Sequence, residues 1–358
     1  MADFDYGNAR VRVMKSRLLS RRDLDGLLEA GSLRAMIAEL AKTAYRKTVE
    51  VALARASGME VITQSLHNDL IGTLGKLPRF YTGNASNIVA IVLRQYDIHN
   101  LKTILRGLSK NAPSHEILAT ILPIGELHLK DLVDLASAPG PRGAIDLLAT
   151  LGLPYAQPLM RLRAERPGVD ISDMELALDQ WHYQEAWKFI QDNPDNTDLL
   201  AAALHRDADL ANLLTMLRFA HYPNEHELLR ERYGSDDLTR LFLKPGKIPF
   251  SQLVKAGNLD TVESAVRSLE GTAYDHALQS GLEAYARSGR LSEFEKQLRH
   301  SRLDWMSRLI SKDPLGIGVV LGYLALKIAE VNNVRWIAQG INLGLKPAAI
   351  RAELESVA

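Results

Sequence analysis

Apolar residues in this chain recur at spacings of three and four, and strictly alternating apolar and polar runs are scarce. That periodicity, with Leu, Ala, Arg and Glu dominant and helix punctuation frequent, predicts an all-α fold. In the first predicted helix Phe4, Gly7, Val11, Met14 and Leu18 form one stripe toward a partner, while Arg10, Arg17 and Arg21 follow a second line. Ser20 to Asp23, Ser172 to Glu175 and Ser292 to Glu295 carry the hydroxyl-then-carboxylate spacing of a capping box. Asp313 and Pro314 read as the cap and first residue of a long helix that runs to about Leu343, roughly 45 Å at 1.5 Å per residue. Gly344 is its expected left-handed stop, and Pro347 opens a short last helix. Turns are expected at Ser137 to Gly143, Glu165 to Asp170, Asp192 to Asp198 and Leu243 to Pro249, all rich in Pro, Gly or Asn. The most apolar stretch, Leu315 to Leu326, is 12 residues long and holds three glycines. A spanning helix needs about 20 residues. A soluble chain that can sit against a membrane assembly is the expectation.

One phrase recurs within this helical pattern. "DIHNLKTILRG" places Asp97 three residues before Asn100, and "DLANLLTMLR" repeats the spacing at Asp209 and Asn212. "DYGNARVRVM" does so at Asp5 and Asn8, and "EVNNVRWIAQG" at Glu330 and Asn333. A second phrase follows the first three of these in chain order and closes on Tyr45, Tyr155 and Tyr274. The asparagines lie 92, 112 and 121 residues apart, far beyond the periods of about 33 or 34 of ankyrin and tetratricopeptide arrays. The expected organisation is three helical units, 1–90, 91–203 and 204–312. A long C-terminal helix with a short last one, 313–358, opens a fourth phrase without a completing half and packs back beside the first unit. Three such units suit a short solenoid or a pseudo-threefold ring.

Charge and chemistry narrow the partners. The 358 residues hold 43 Lys plus Arg and 43 Asp plus Glu, so no global basic footprint points to nucleic acid. No cysteine occurs, which excludes disulfides and thiolate chemistry and makes a reducing compartment the simpler expectation. The opening "MADFDYGNAR" lacks the apolar core of a secretory signal. "GIGVVLG" follows Asp-Pro rather than a strand and has the wrong spacing for a dinucleotide loop, and no phosphate-binding G-x-x-x-x-G-K-[ST] occurs. His221 and His226 are five apart, off one helical face, so neither metal nor other cofactor is expected. Tyr183, Trp187 and Ile190 follow helical spacing and read as core, or as an interface anchor.

The pieces "NARVRVMKSRLL" (Asn8 to Leu19), "DIHNLKTILRG", "LPIGELHLKDL" (Leu122 to Leu132) and "DPLGIGVVLGYLALKIAEVNNVRWIAQGINLGL" (Asp313 to Leu345) span nearly the whole chain. Together with the triplication they resemble the C-subunit family of bacterial and archaeal V-type ATPases and ATP synthases, whose eukaryotic counterpart is the V-ATPase d subunit. That resemblance implies a funnel of three similar all-α units around a pseudo-threefold axis. It further implies a place on the cytoplasmic face of the membrane, with the proteolipid ring on one side and the D and F subunits of the central stalk in the cavity. The membrane stator is a further implied neighbour. Such a chain couples ion flow to ATP synthesis or hydrolysis without a catalytic site of its own. A rival from another class is a soluble helical-repeat adaptor that takes a peptide or helix in a concave groove.

Two readings stand for each candidate constellation. Asn8, Asn100, Asn212 and Asn333, with Asp97 and Asp209, form either a polar lining of the cavity or hydrogen-bond networks that fix helix register. Arg10, Arg12, Arg17 and Arg21 form either a basic contact face, toward anionic lipid heads or an acidic stalk, or the solvated side of an amphipathic helix. Arg106 and Arg218, each six residues after its asparagine and before an expected helix end at Gly107 or Pro223, either complement the helix dipole or touch the stalk. Gly318 and Gly322 permit close backbone approach, inside the chain or to a neighbour.

Overall fold

The computed structural model describes residues 3–165, 168–222 and 224–355. Met1 and Ala2, Arg166 and Pro167 within the expected 165–170 turn, Pro223, and residues 356–358 lie outside them. All regular elements among the described residues are helical. The first is α1 (Asp5–Lys15), followed by α2 (Arg21–Leu28), α3 (Leu33–Leu40), α4 (Arg46–Leu53), α5 (Met59–Leu74) and the long α6 (Gly83–Ser109). After α7 (Ser114–Leu118) the same order returns as α8 (Leu129–Ala136), α9 (Gly140–Thr150), α10 (Ala156–Glu165), α11 (Ile171–Asp192) and α12 (Asp198–His221). Past α13 (Asn224–Tyr233) it comes a third time as α14 (Phe250–Gly257), α15 (Val262–Arg267), α16 (Asp275–Ser288), α17 (Ser292–Lys312) and α18 (Gly318–Asn342), and α19 (Pro347–Arg351) follows. Each set is a short helical hairpin, a tyrosine immediately before the third helix, a fourth helix, and a long fifth helix carrying acid-x-x-Asn.

The chain divides into two compact units, Met1–Ala156 with Met306–Ala358, and Gln157–Trp305. In the first, α18 is buried on nearly every face, Val320, Val334, Ile337 and Ala338 being fully enclosed. A helix apolar all round belongs inside a protein or a membrane. Here α1, α2, α3, α5 and α19 cover it. In the second unit Leu213, Met216 and Leu217 of α12 pack with Leu253, Ala265, Leu278, Phe294 and Leu298 from α14 to α17. No helix among the described residues is long and apolar enough to cross a membrane.

Local chemistry sets the helix ends. Ser20 and Asp23 exchange both bonds of a capping box at α2. At α11 the expectation is corrected: the cap is Asp170, paired with Asp173, two residues before the expected Ser172, whose hydroxyl donates to the Asp170 carboxylate instead. The start of α18 is corrected too. Residues 313–317 form a tight reversal after α17, and Asp313 accepts from the Gly318 amide at 2.9 Å, so the helix begins at Gly318. Its 25 residues span about 37 Å. The stop at Gly344 is left-handed, with φ 69°, and Pro347 opens α19.

Gly318 and Gly322 make the reversal possible. A β-carbon at Gly322 would lie 2.8 Å from the Met306 carbonyl oxygen, and one at Gly318 2.7 Å from that of Leu309. Both glycines therefore serve packing of α18 on the end of α17. Gly322→Ala gains up to about 1 kcal/mol of helix propensity yet forces backbone apart, so a net loss of roughly 1–2 kcal/mol is expected. Gly26 in α2 has open space around it, and Gly26→Ala should instead gain about 0.5–1 kcal/mol. Chemical denaturation of the two variants checks the opposite signs.

Candidate functional site

Three buried joints organise the candidate residues. In the first, Asp97 and Asn100 stand one turn apart on α6, both fully enclosed. Asn100 clasps the backbone of one residue: its amide donates to the Leu122 carbonyl at 2.7 Å, and its oxygen accepts from the Leu122 N–H at 2.8 Å. The Asp97 carboxylate accepts from the N–H groups of Glu126 (2.7 Å) and Leu127 (3.1 Å) and from the Tyr155 hydroxyl (2.9 Å). The segment approaches so closely that a β-carbon on Gly125 would lie 2.3 Å from that carboxylate. Glycine is required there by contact, with no positive φ involved.

The second joint repeats these bonds in the other compact unit. Asn212 of α12 clasps Leu243, donating at 2.9 Å and accepting at 2.7 Å. Asp209 accepts from the Ile248 N–H at 3.1 Å and the Tyr274 hydroxyl at 2.9 Å. Gly246 takes the place of Gly125, its missing β-carbon 2.6 Å from Asp209. "LPIGEL" and "LKPGKI" thus share a clasped leucine, a contact glycine three later, and donor amides just beyond. The repeated L-x-x-G spacing is the sequence signal by which these two segments can be found.

The third joint uses the phrase that had no completing half. Asn333 of α18 clasps Glu355, donating at 2.9 Å and accepting at 2.7 Å. Glu330 accepts from the Leu19 N–H and from the Tyr45 hydroxyl, the latter at 2.7 Å. The completing half is therefore the early hairpin α2–α3 with Tyr45. In each joint the long helix that ends one five-helix set holds the tyrosine of another. Asp97 holds Tyr155, Asp209 holds Tyr274, and Glu330 of the last set holds Tyr45 of the first.

This joint also carries a cation. Lys327 Nζ, 5 % exposed, lies 2.6 Å from Glu330, 2.7 Å from Asp69 and 3.0 Å from the Tyr45 hydroxyl, and 4.5 Å from the Tyr45 ring centre. Sequence reasoning misses both Lys327 and Asp69, since a lone Lys in one helix and a lone Asp in another give no spacing signal.

Asn8 stands outside the joints. Although the sequence places it on the path to Tyr45, its amide donates to the Gly316 carbonyl at 2.9 Å and its oxygen accepts from Tyr81 at 3.0 Å. It ties α1 to the reversal before α18, and Asp5 is exposed. Arg10, Arg12, Arg17 and Arg21 are all exposed. Arg12 donates to the Pro314 carbonyl at 2.7 Å, and Arg10 lies over the Phe80 ring at 5.4 Å. Arg106 is exposed near the end of α6, which runs on past Gly107 to Ser109. Arg218, near the end of α12, pairs with Glu225 at 2.5 Å.

Burial pushes the Asp97 carboxyl above its ordinary range, opposed by the Glu126 and Leu127 amides and the Tyr155 hydroxyl. Asp209 is raised for the same reason, against the Ile248 and Lys247 amides and Tyr274. Tyr45, Tyr155 and Tyr274 are also raised, by burial first and then by the neighbouring carboxylates, so each stays a donor.

A family model described as ATP synthase (C/AC39) subunit matches residues 7–353. The chain belongs to that family. Among curated relatives, the C subunit of the A-type ATP synthase of Methanocaldococcus jannaschii is 26 % identical over 361 aligned positions, covering 100 % of this chain and 87 % of that protein. The A-type C subunit of Methanococcoides burtonii is 28 % identical, with 99 % and 94 % covered. The V-type C subunit of Deinococcus radiodurans is 25 % identical, with 99 % and 92 % covered. The family match runs from α1 through α19 and takes in every residue of the three joints except Glu355, just past its end.

Two outcomes are expected of the joints. Gly125→Ala and Gly246→Ala should each cost about 1–3 kcal/mol, because the new methyl meets a carboxylate held on several sides; urea denaturation measures it. The pH response follows from the raised carboxyls. The folded chain keeps these protons to higher pH than the unfolded chain, whose aspartates titrate near 4. The stability this contributes is complete below that value and is lost as pH climbs through the raised folded values. Melting temperature should therefore fall across that window, and Asp97→Asn with Asp209→Asn should flatten the slope.

Proposed function

We propose that the chain is a non-catalytic coupling subunit of a rotary A/V-type ATPase that joins the proteolipid ring of the membrane sector to the central stalk. Family membership over residues 7–353 is the observation that carries this reading, with relatives named as C subunits of A-type and V-type ATP synthases. The joints support the mechanical part. A transmitter of torque must resist shear between its helical blocks, and each joint pins a long helix to the next hairpin through a buried carboxylate with several donors. Because the acid of the last five-helix set holds the tyrosine of the first, the bonding order is cyclic. That order favours a pseudo-threefold socket of three units, roughly 1–90, 91–203 and 204–312, closed by 313–358, over an open groove.

In this role the chain sits peripherally on the cytoplasmic face, with the D and F subunits of the stalk in the hollow and the membrane stator nearby. Arg10, Arg12, Arg17 and Arg21 offer an exposed basic face for an acidic neighbour. Membranes from cells carrying a tagged copy, solubilised in mild detergent at low salt, should yield this chain in fixed ratio to the proteolipid ring and stalk. Deletion should abolish ion-driven ATP synthesis while leaving nucleotide hydrolysis by the detached soluble sector. Recovery of the chain free of both partners would overturn the proposal.

A further inference from the structure

A cavity of about 640 Å³ opens beside the third joint, within the first compact unit. Its volume falls in the range of about 300–1,000 Å³ common for small-molecule sites. The floor holds buried Tyr323 and Lys327 together with Asp69. Lys327 donates to Glu330 and to the Tyr45 hydroxyl and stands at ion-pair distance, 2.7 Å, from Asp69. The floor's one cation is thus committed to two carboxylates of the chain itself, so it offers an incoming anion no free positive charge, and Tyr323 gives the floor an aromatic side.

Met14, Leu18 and the exposed Val51 supply apolar walls. Around the mouth stand the exposed Arg17, Lys47 and Lys76. None of these three enters an ion pair among the described residues, so the lining carries a net positive charge concentrated at the opening. An apolar interior under an unneutralised basic rim selects a ligand of matching polarity along its length. We infer that this cavity binds an amphiphilic anion, its alkyl or aryl body against Met14, Leu18 and Tyr323 and its phosphate or carboxylate head between Arg17, Lys47 and Lys76. The inference stands apart from the coupling role except at Arg17, which also belongs to the basic face proposed above; it concerns a pocket within one unit, and its test needs no partner protein.

Calorimetric titration of the purified chain tests it, with dodecyl phosphate below its micelle concentration as probe. Saturable binding of one molecule per chain is expected. Inorganic phosphate, the head alone, and dodecyl maltoside, the same chain under a neutral head, should each bind at least tenfold more weakly. Arg17→Glu with Lys76→Glu should weaken dodecyl phosphate at least tenfold while melting temperature and helical circular dichroism stay unchanged. Val51→Glu, which puts an acid on the rim without removing a cation, should weaken it as well. Sedimentation with phosphatidic acid vesicles that these variants abolish would assign the head to a bilayer lipid; monomer binding without sedimentation would assign it to a free amphiphile. No saturable binding, equal binding of the neutral probe, or equal affinity in both variants would overturn the inference.

Discussion

An ionisable group taken out of water must find donors or give up its charge. Three of the acids this chain buries, one in each joint, draw their donors from a segment far along the sequence. Asp97 draws on residues 126, 127 and 155, Asp209 on 248 and 274, and Glu330 on 19 and 45. The asparagine one turn later fixes where that segment enters, because an amide that both donates to and accepts from one backbone unit tolerates no shift in register. Packing of the hairpins, the place of the contact glycines and the direction of the following helices all depend on that anchoring.

The joints are alike in plan and unlike in electrostatics. Two use aspartate with backbone and phenol donors only, and burial raises their carboxyls. The third uses the longer glutamate and adds Lys327 and Asp69. Its partners lie 285 and 311 residues from Glu330, so the entropy of bringing them together is larger than for the other two, though it grows only slowly with separation. A charge-paired contact at that place adds attraction where the chain itself supplies the least proximity.

Much of this is legible in the sequence because it is written more than once. Helical periodicity reveals the fold class, and the recurring acid, asparagine and tyrosine name most members of the joints. What local spacing cannot do is assign partners between copies. Asp5 and Asn8 match the phrase as well as Glu330 and Asn333 do, and nothing nearby tells which pair meets Tyr45. The structure decides it by exposure: Asp5 faces solvent, while Glu330 lies in the most enclosed helix of its unit. The start of α18 departs from expectation for a related reason. Asp-Pro reads locally as a cap and first turn, but Gly318 and Gly322 must lie on the carbonyls of α17, which demands a reversal before the helix can begin.

That the third joint gathers Leu19 and Tyr45 with Glu330, Asn333 and Glu355 also orders events during synthesis. The second joint's residues, 209 to 274, and the first's, 97 to 155, leave the ribosome close together in time and can knit as they emerge. The early hairpin must wait, its tyrosine without an acceptor, until Glu330 has been made, so a product truncated before it stays open at that seam and exposes it to proteases.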